Sequence, residues 1–233
     1  MSESSAFFKA TLRSLLPGGQ SNAHAAAMVA IRTLAPKHRG RIQAHLLALD
    51  ERDRYLRFGY NANDEQIARY VERLDFEQDE VFGIFDRKLA LVAVAHLAYS
   101  TNAASAACAE FGVSVQKSAR GKGLGGRMFA CAAMHARNQG VSLLFVHALS
   151  ENSIMLRIAR QAGATVQREG SESEAHLKLS APDLDSRVAQ VLYGQLAEAD
   201  YQLKMQAKYF WGLIELMHEV RAGVREARHR SAS

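Results

Sequence analysis

Gly121, Gly123, Gly125 and Gly126 are interleaved with Arg120, Lys122, Leu124 and Arg127, just downstream of the stretch Glu110–Val115. Glycines let a backbone approach a phosphate closely, and the guanidinium and ammonium groups beside them supply the opposite charge. Upstream, Phe111, Val113 and Val115 alternate with Glu110, Gly112 and Ser114, the period of a strand. From Leu124 onward LGGRMFACAAMHARNQG reads as a helix, with Leu124, Met128, Cys131 and His135 on one side. Strand, basic glycine-rich loop and helix start, in that order, build an anion site. The first free N–H groups of the helix point at the anion, and the helix dipole adds to the attraction.

The spacing is not that of the P-loop, because Gly125 is followed by Gly126 and Arg127 rather than by Lys-Ser/Thr. Nor do Gly121, Gly123 and Gly125 fit the dinucleotide fingerprint, which also needs an opening βαβ unit and a ribose-binding acid. The residues do resemble the GNAT superfamily of acyl-CoA-dependent N-acyltransferases. Its pyrophosphate signature, Arg/Gln-x-x-Gly-x-Gly/Ala, is matched by Arg120, Gly123 and Gly125, with the preceding V-x-V strand and Leu124 also in place. Asn152 and Gly163 stand at the spacing that the family uses after its fifth strand. The similarity spans roughly residues 29 to 179, about one domain.

The resemblance implies an N-acyltransferase that moves an acetyl or other short acyl group from acyl-CoA to a primary amine by direct attack in a ternary complex. It implies that Arg120, Gly121, Lys122, Gly123, Leu124, Gly125 and Gly126 hold the diphosphate of acetyl-CoA, with Asn152 also on the cofactor side. The pantetheine arm would run in a gap between the fourth and fifth strands, against the backbone of Phe111, Val113 and Val115. The N–H near Val113 would polarise the acyl oxygen. A charged amine must lose a proton before it attacks, and a carboxylate within direct or one-water reach is the natural base. Glu110 is the expected catalytic residue, since partial burial among Ala109, Cys108, Phe111 and Gly112 would raise its pKa toward the working range. A structural ion pair with an arginine is its bland alternative. His147, His96 and Glu80 are lesser candidates, a histidine inside an apolar strand being more often a satisfied core group. Many family members carry a tyrosine acid seven residues after the asparagine; here that position is Ala159, which leaves the acid unassigned, with Ser153 and solvent as stand-ins. Ser118, on the phosphate loop, reads as a ligand-side hydroxyl. The run from Asn152 to Gly163 looks like the branch found in bacterial protein lysine acetyltransferase domains, so a protein lysine is a slightly better acceptor than a small amine. The alternative is a non-catalytic acyl-CoA-binding or helix-mediated interaction protein.

The 233 residues, 48% hydrophobic and 23% charged, are enough for one domain with an extension and describe an ordinary globular chain. A net charge of +5 suits an anionic cofactor, and without a nucleic-acid motif it does not point to DNA or RNA. No run is long and apolar enough for a membrane span, no signal peptide is evident, and Cys108 and Cys131 form no metal spacing. A cytoplasmic protein without metal is therefore expected.

The elements that must position these residues alternate in period. Residues 1–27 read as a flexible tail. A domain over residues 28–180 follows: a strand at 28–34, helices opening at Pro36, Asp50 and Asn63 or Asp64, then strands at 81–86, 88–100, 108–115 and 141–149. After a helix capped by Asn152 or Ser150 comes a final hairpin, 164–168 with 176–179. The sum is an α/β domain with a mixed, mostly antiparallel sheet of about seven strands and helices on both faces. Residues 181–233 form a helical extension carrying a heptad-like stripe, Leu192, Leu196, Ala199, Leu203, Phe210, Leu213, Met217, Val220 and Val224. Such a stripe folds back on its own domain, pairs with a second copy as a homodimer, or binds another protein.

Overall fold

The computed structural model describes residues 29–100 and 107–230, with side chains as far as Tyr209. The tail expected over 1–27 lies outside the described residues. The order is β1 (Arg32–Thr33), a 3-10 turn at Pro36–His38, α1 (Arg39–Leu47), α2 (Glu51–Phe58), α3 (Asp64–Glu72), β2 (Glu80–Phe85), β3 (Leu91–Tyr99) and β4 (Cys108–Val115). There follow a 3-10 turn at Lys117–Ala119, α4 (Leu124–Asn138), β5 (Leu143–Leu149), α5 (Ser153–Gln161), β6 (Thr165–Glu169), β7 (Glu172–Lys178) and α6 (Leu184–Arg230). The seven strands form one sheet, ordered β1-β2-β3-β4-β5-β7-β6. All pairs are antiparallel except β4 with β5.

The strand period sorts the side chains to two cores. Phe111, Ala95, Leu97, Val146 and Ala148 pack under Met128, Phe129 and Ala132 of α4 and Leu156 and Ala159 of α5. On the opposite face Val81, Phe85, Leu91 and Val94 meet Ile42 and Leu46 of α1 and Ile67 and Val71 of α3. Helix ends follow their capping residues. The Asp50 side chain accepts from the Asp53 amide, and Asn63 and Gln66 form a reciprocal capping box. Gly140 and Gly163, both left-handed, follow the ends of α4 and α5.

Two elements differ from the reading of the sequence. The first strand keeps only Arg32 and Thr33, because its pairing with β2 stops at Gly83. The last hairpin is longer, since β6 and β7 pair all the way to Glu169 and Glu172 across a two-residue turn with Gly170 left-handed. The extension also packs unexpectedly. As far as side chains are described, the apolar stripe of α6 faces outward, Leu192 and Leu196 being 48% exposed and Leu203 66%; Phe210, Leu213, Met217, Val220 and Val224 lie outside the described side chains. The domain is met instead by Ser186, Gln190, Ala197, Tyr201 and Lys204. Gln190 bonds Asn138, Lys204 bonds the Phe85 carbonyl, and Tyr201 receives the Arg32 guanidinium 4.0 Å above its ring. No helix of the described residues is long and apolar enough to cross a membrane.

Candidate active site

β4 and β5 start together and then part. Their pairing covers Cys108 with Leu143, Ala109 with Leu144 and Glu110 with Phe145, and ends there. Beyond Glu110, β4 holds only β3 and β5 holds only β7. Ser100 donates to the Cys108 carbonyl and Gln116 to the Val92 carbonyl, so the even-numbered residues of β4 bond toward β3. The alternation of an antiparallel ladder then turns the peptide groups of Phe111, Val113 and Val115 toward the opening. One of these groups is occupied: the Val115 carbonyl accepts from Arg120 Nε.

The opening leads to the glycine loop. Gly121 and Gly123 are left-handed, at φ 77° and 70°, and Gly123 is the N-cap of α4. The first hydrogen bond of α4 runs from the Arg127 amide to the Gly123 carbonyl, which leaves the amides of Leu124, Gly125 and Gly126 to face out of the helix end. Gly121, Lys122 and Gly123 are exposed, Leu124 is buried as an anchor, and a side chain added at Gly121, Gly123 or Gly126 would meet nothing within 4 Å. A bare, convex turn of amides at a helix N-terminus fits a diphosphate. Gly125 is the tight position, with Ile158 of α5 3.1 Å from where its Cβ would be.

The basic residues are drawn toward α2. Arg120 pairs with Asp53, and Lys117 pairs with Asp50, the cap of α2. Asn152 caps α5, accepting from the Met155 amide and donating to the Leu56 carbonyl at the far end of α2. Both of its polar atoms are thus engaged in joining α5 to α2. These bonds fasten α2 along the loop and across the opening.

Glu110 sits where the strands part, but it is not buried. The sheet period sends it to the face opposite Phe111, where no helix covers its side chain, which is 57% exposed. The environment of Ala109 and Phe111, inferred from their adjacency in sequence, lies on the other side of the strand. Instead of an arginine, Glu110 Oε1 meets His147 Nδ1 at 3.2 Å. His147 Nε2 lies 3.0 Å from Glu174 Oε1, and His176 Nε2 lies 3.2 Å from Glu174 Oε2. Phe145 stacks parallel to His147 and meets His176 edge-on. The register of β5 and β7 aligns these groups on one face, with His147 opposite Glu174 and Phe145 opposite His176.

Of the remaining candidates, His96 and Glu80 are held by neighbouring side chains. His96 Nε2 is paired with Asp79 and its Nδ1 meets the Tyr70 hydroxyl. Burial pulls its pKa below the ordinary value, with Asp79 opposing and Arg57 assisting. Glu80 lies on the α4 side of the sheet, held by His135 and the Tyr99 hydroxyl. Burial acts to raise its pKa, and His135 more than reverses the effect. Ala159 is fully buried under the sheet. Ser153 and Ser118 are exposed. Among the described residues no cluster of His, Cys, Asp and Glu could hold a metal ion.

Sequence reasoning missed Arg57. The C-terminal turn of α2 lays its guanidinium on Gly112, with Cζ 2.8 Å from where a Cβ would stand. The signal was available, because an isolated glycine inside a strand marks a close approach.

Known proteins of the same architecture include the GNAT domain of S. lividans PAT, with a TM-score of 0.55 and 19% identity over 64% of this chain and 89% of that one. A GNAT superfamily phosphinothricin acetyltransferase from Sinorhizobium meliloti, in complex with acetyl-CoA, superimposes with a TM-score of 0.54 and 12% identity over 67% of this chain and 94% of that one. A ribosomal-protein-alanine N-acetyltransferase from Brucella melitensis gives a TM-score of 0.52 and 17% identity over 64% of this chain and 99% of that one. These likenesses are of fold, and no curated protein matches the sequence. The sequence model of the acetyltransferase (GNAT) domain matches residues 29–165, well over half of the chain, with the parting strands and the glycine loop inside the match, and the protein belongs to that acetyl-CoA-using family.

Proposed function

We propose that the protein transfers an acetyl group from acetyl-CoA to a primary amine by direct attack in a ternary complex. The observation that carries this reading is the parting of β4 and β5 directly after Glu110, with the Phe111 and Val113 amides turned into the opening and the glycine loop at its end. Acetyl-CoA supplies the acyl group as a thioester. The amides of Leu124, Gly125 and Gly126, with Lys122 near, hold the diphosphate, and the Val113 N–H takes the acyl oxygen as it gains charge. Glu110 takes the proton that the attacking nitrogen gives up. The new C–N bond forms as the C–S bond breaks, and the thiolate takes its proton from solvent, because Ala159 has none to give. A protein lysine is one acceptor of this class, supported by the similarity of the run from Asn152 to Gly163 to lysine acetyltransferase domains. A homodimer through α6 is supported by the outward-facing Leu192, Leu196 and Leu203.

The test is direct. Acetyl-CoA should raise the melting temperature, as linkage requires of a ligand of the native state. A panel of amines should release free CoA thiol from acetyl-CoA. Absence of any thermal shift at millimolar acetyl-CoA overturns cofactor binding; a shift without thiol release favours the non-catalytic acyl-CoA-binding alternative.

A further inference from the structure

Arg57 is a half-buried cation that forms no ion pair with a carboxylate among the described residues. Its Nη2 donates to the Tyr70 hydroxyl at 3.0 Å, and its guanidinium lies 5.2 Å from the Phe58 ring centre and 5.6 Å from that of Tyr70. These contacts hold the side chain in place without neutralising it. The neighbouring arginines of α2 are treated differently, Arg54 being paired with Asp64 and Arg52 with Glu151. A half-buried positive group with no carboxylate paired to it favours an anionic ligand beside it.

The position of such a ligand is defined by the strand below. Gly112 lies under Arg57, and Glu110 lies two residues back on the same face, about 7 Å along the strand. Glu110 and Arg57 form no ion pair; Glu110 turns instead to His147, which Glu174 also contacts. Glu110 with its His147 and Glu174 neighbours, and the unpaired Arg57 over Gly112, thus share the face of β4 next to Val113.

We infer that the acceptor is a small amine carrying a carboxylate next to its amino group, an α-amino acid. Its amino group would face Glu110 and its carboxylate would bond Arg57. The inference rests on the transferase reading above and narrows the acceptor to a class that an internal protein lysine, with no adjacent carboxylate, does not belong to. Gly112 is part of the arrangement, since any side chain there would displace the guanidinium.

The experiment compares kcat/KM for a panel of free α-amino acids, their amides, the matching amines without the carboxylate, and a peptide with an internal lysine. The best acid should exceed its own amide by about 10- to 100-fold, the range for a lost charge-assisted hydrogen bond. In Arg57→Gln that acid-over-amide ratio should fall toward one, and Arg57→Lys should restore part of it. Thermal stabilisation by acetyl-CoA confirms that each variant is folded. Amides or the lysine peptide reacting as well as the acids would overturn the inference and leave the transferase reading standing. An unchanged ratio in Arg57→Gln would overturn it too. No acetylation of any amine would overturn both.

Discussion

At the scale of single residues, the chemistry depends on which side of β4 each group takes. Phe111 and Glu110 are neighbours in sequence and opposites in space, one fully buried under Phe129 and the other at the open face beside His147. Glu110→Gln removes the proton acceptor and keeps the shape, so kcat should fall about 100-fold while acetyl-CoA affinity holds. Single-turnover rates and titration calorimetry separate the two quantities, and an unaltered kcat would remove Glu110 from its role. His45 makes a different prediction. It is buried between α1 and the sheet, with its ring nitrogens on the Leu91 carbonyl and the Ser114 hydroxyl. Burial lowers its pKa, the bond to Leu91 opposes, and the charge of Arg57 adds to the lowering. The unfolded chain therefore binds the proton first as pH falls through about 6.5, and stability contributed by the neutral ring is lost below that pH. Chemical denaturation from pH 7.5 to 5.5 should show this fall. His45→Asn should start about 1 kcal/mol lower and fall less steeply; a slope equal to that of the parent protein would assign the pH dependence elsewhere.

At the scale of elements, much of the site could be read before folding. Strand β4, the loop and α4 lie where the alternation of Phe111, Val113 and Val115 and the helical run from Leu124 put them, because both periods are strong and glycines mark the change between them. The burial of Glu110 was misread because adjacency in sequence was taken for a shared environment. The covering of a sheet face depends on helices remote in sequence, and on this face none of them covers the Glu110 side chain. Arg57 was missed for a related reason: Gly112 signals a close approach to the strand, but not which residue of another element makes it. The loop itself yields a test. Gly123 is the left-handed N-cap of α4, and alanine there costs about 1–2 kcal/mol or forces the turn to shift. Gly123→Ala should weaken acetyl-CoA binding about tenfold. Gly170→Ala, at a left-handed turn in the β6–β7 hairpin, should cost comparable stability and spare affinity. Equal effects of the two on affinity would mean that the loop geometry is not what binds.

At the scale of the molecule, α6 is the element whose heptad pattern and whose contacts disagree. Its 47 residues extend about 70 Å at the helical rise, far beyond what one domain of this size can cover. The helix is fastened by a polar line, Gln190 to Asn138, Glu198 to Arg32, Tyr201 to Arg41 and Lys204 to Phe85. The periodicity of the sequence correctly marks an apolar stripe, but periodicity cannot say whether the stripe or the line beside it meets the domain. Here the polar line does, and it leaves Leu184, Val188, Val191, Leu192, Leu196 and Leu203 in water. Rows of this kind are costly on a monomer and are ordinary on the seam of a paired helix. Sedimentation velocity across a hundredfold range of concentration should therefore give a dimer at the upper end. Leu192→Glu with Leu196→Glu and Leu203→Glu should shift it to monomer, because six carboxylates would face one another across the seam. The anchoring contacts through Arg32, Tyr201 and Lys204 are untouched by these changes, so the melting temperature of the dissociated variant should stay near that of the dilute parent protein. A parent protein that sediments as a monomer at every concentration would exclude the pairing and leave the stripe without a second copy.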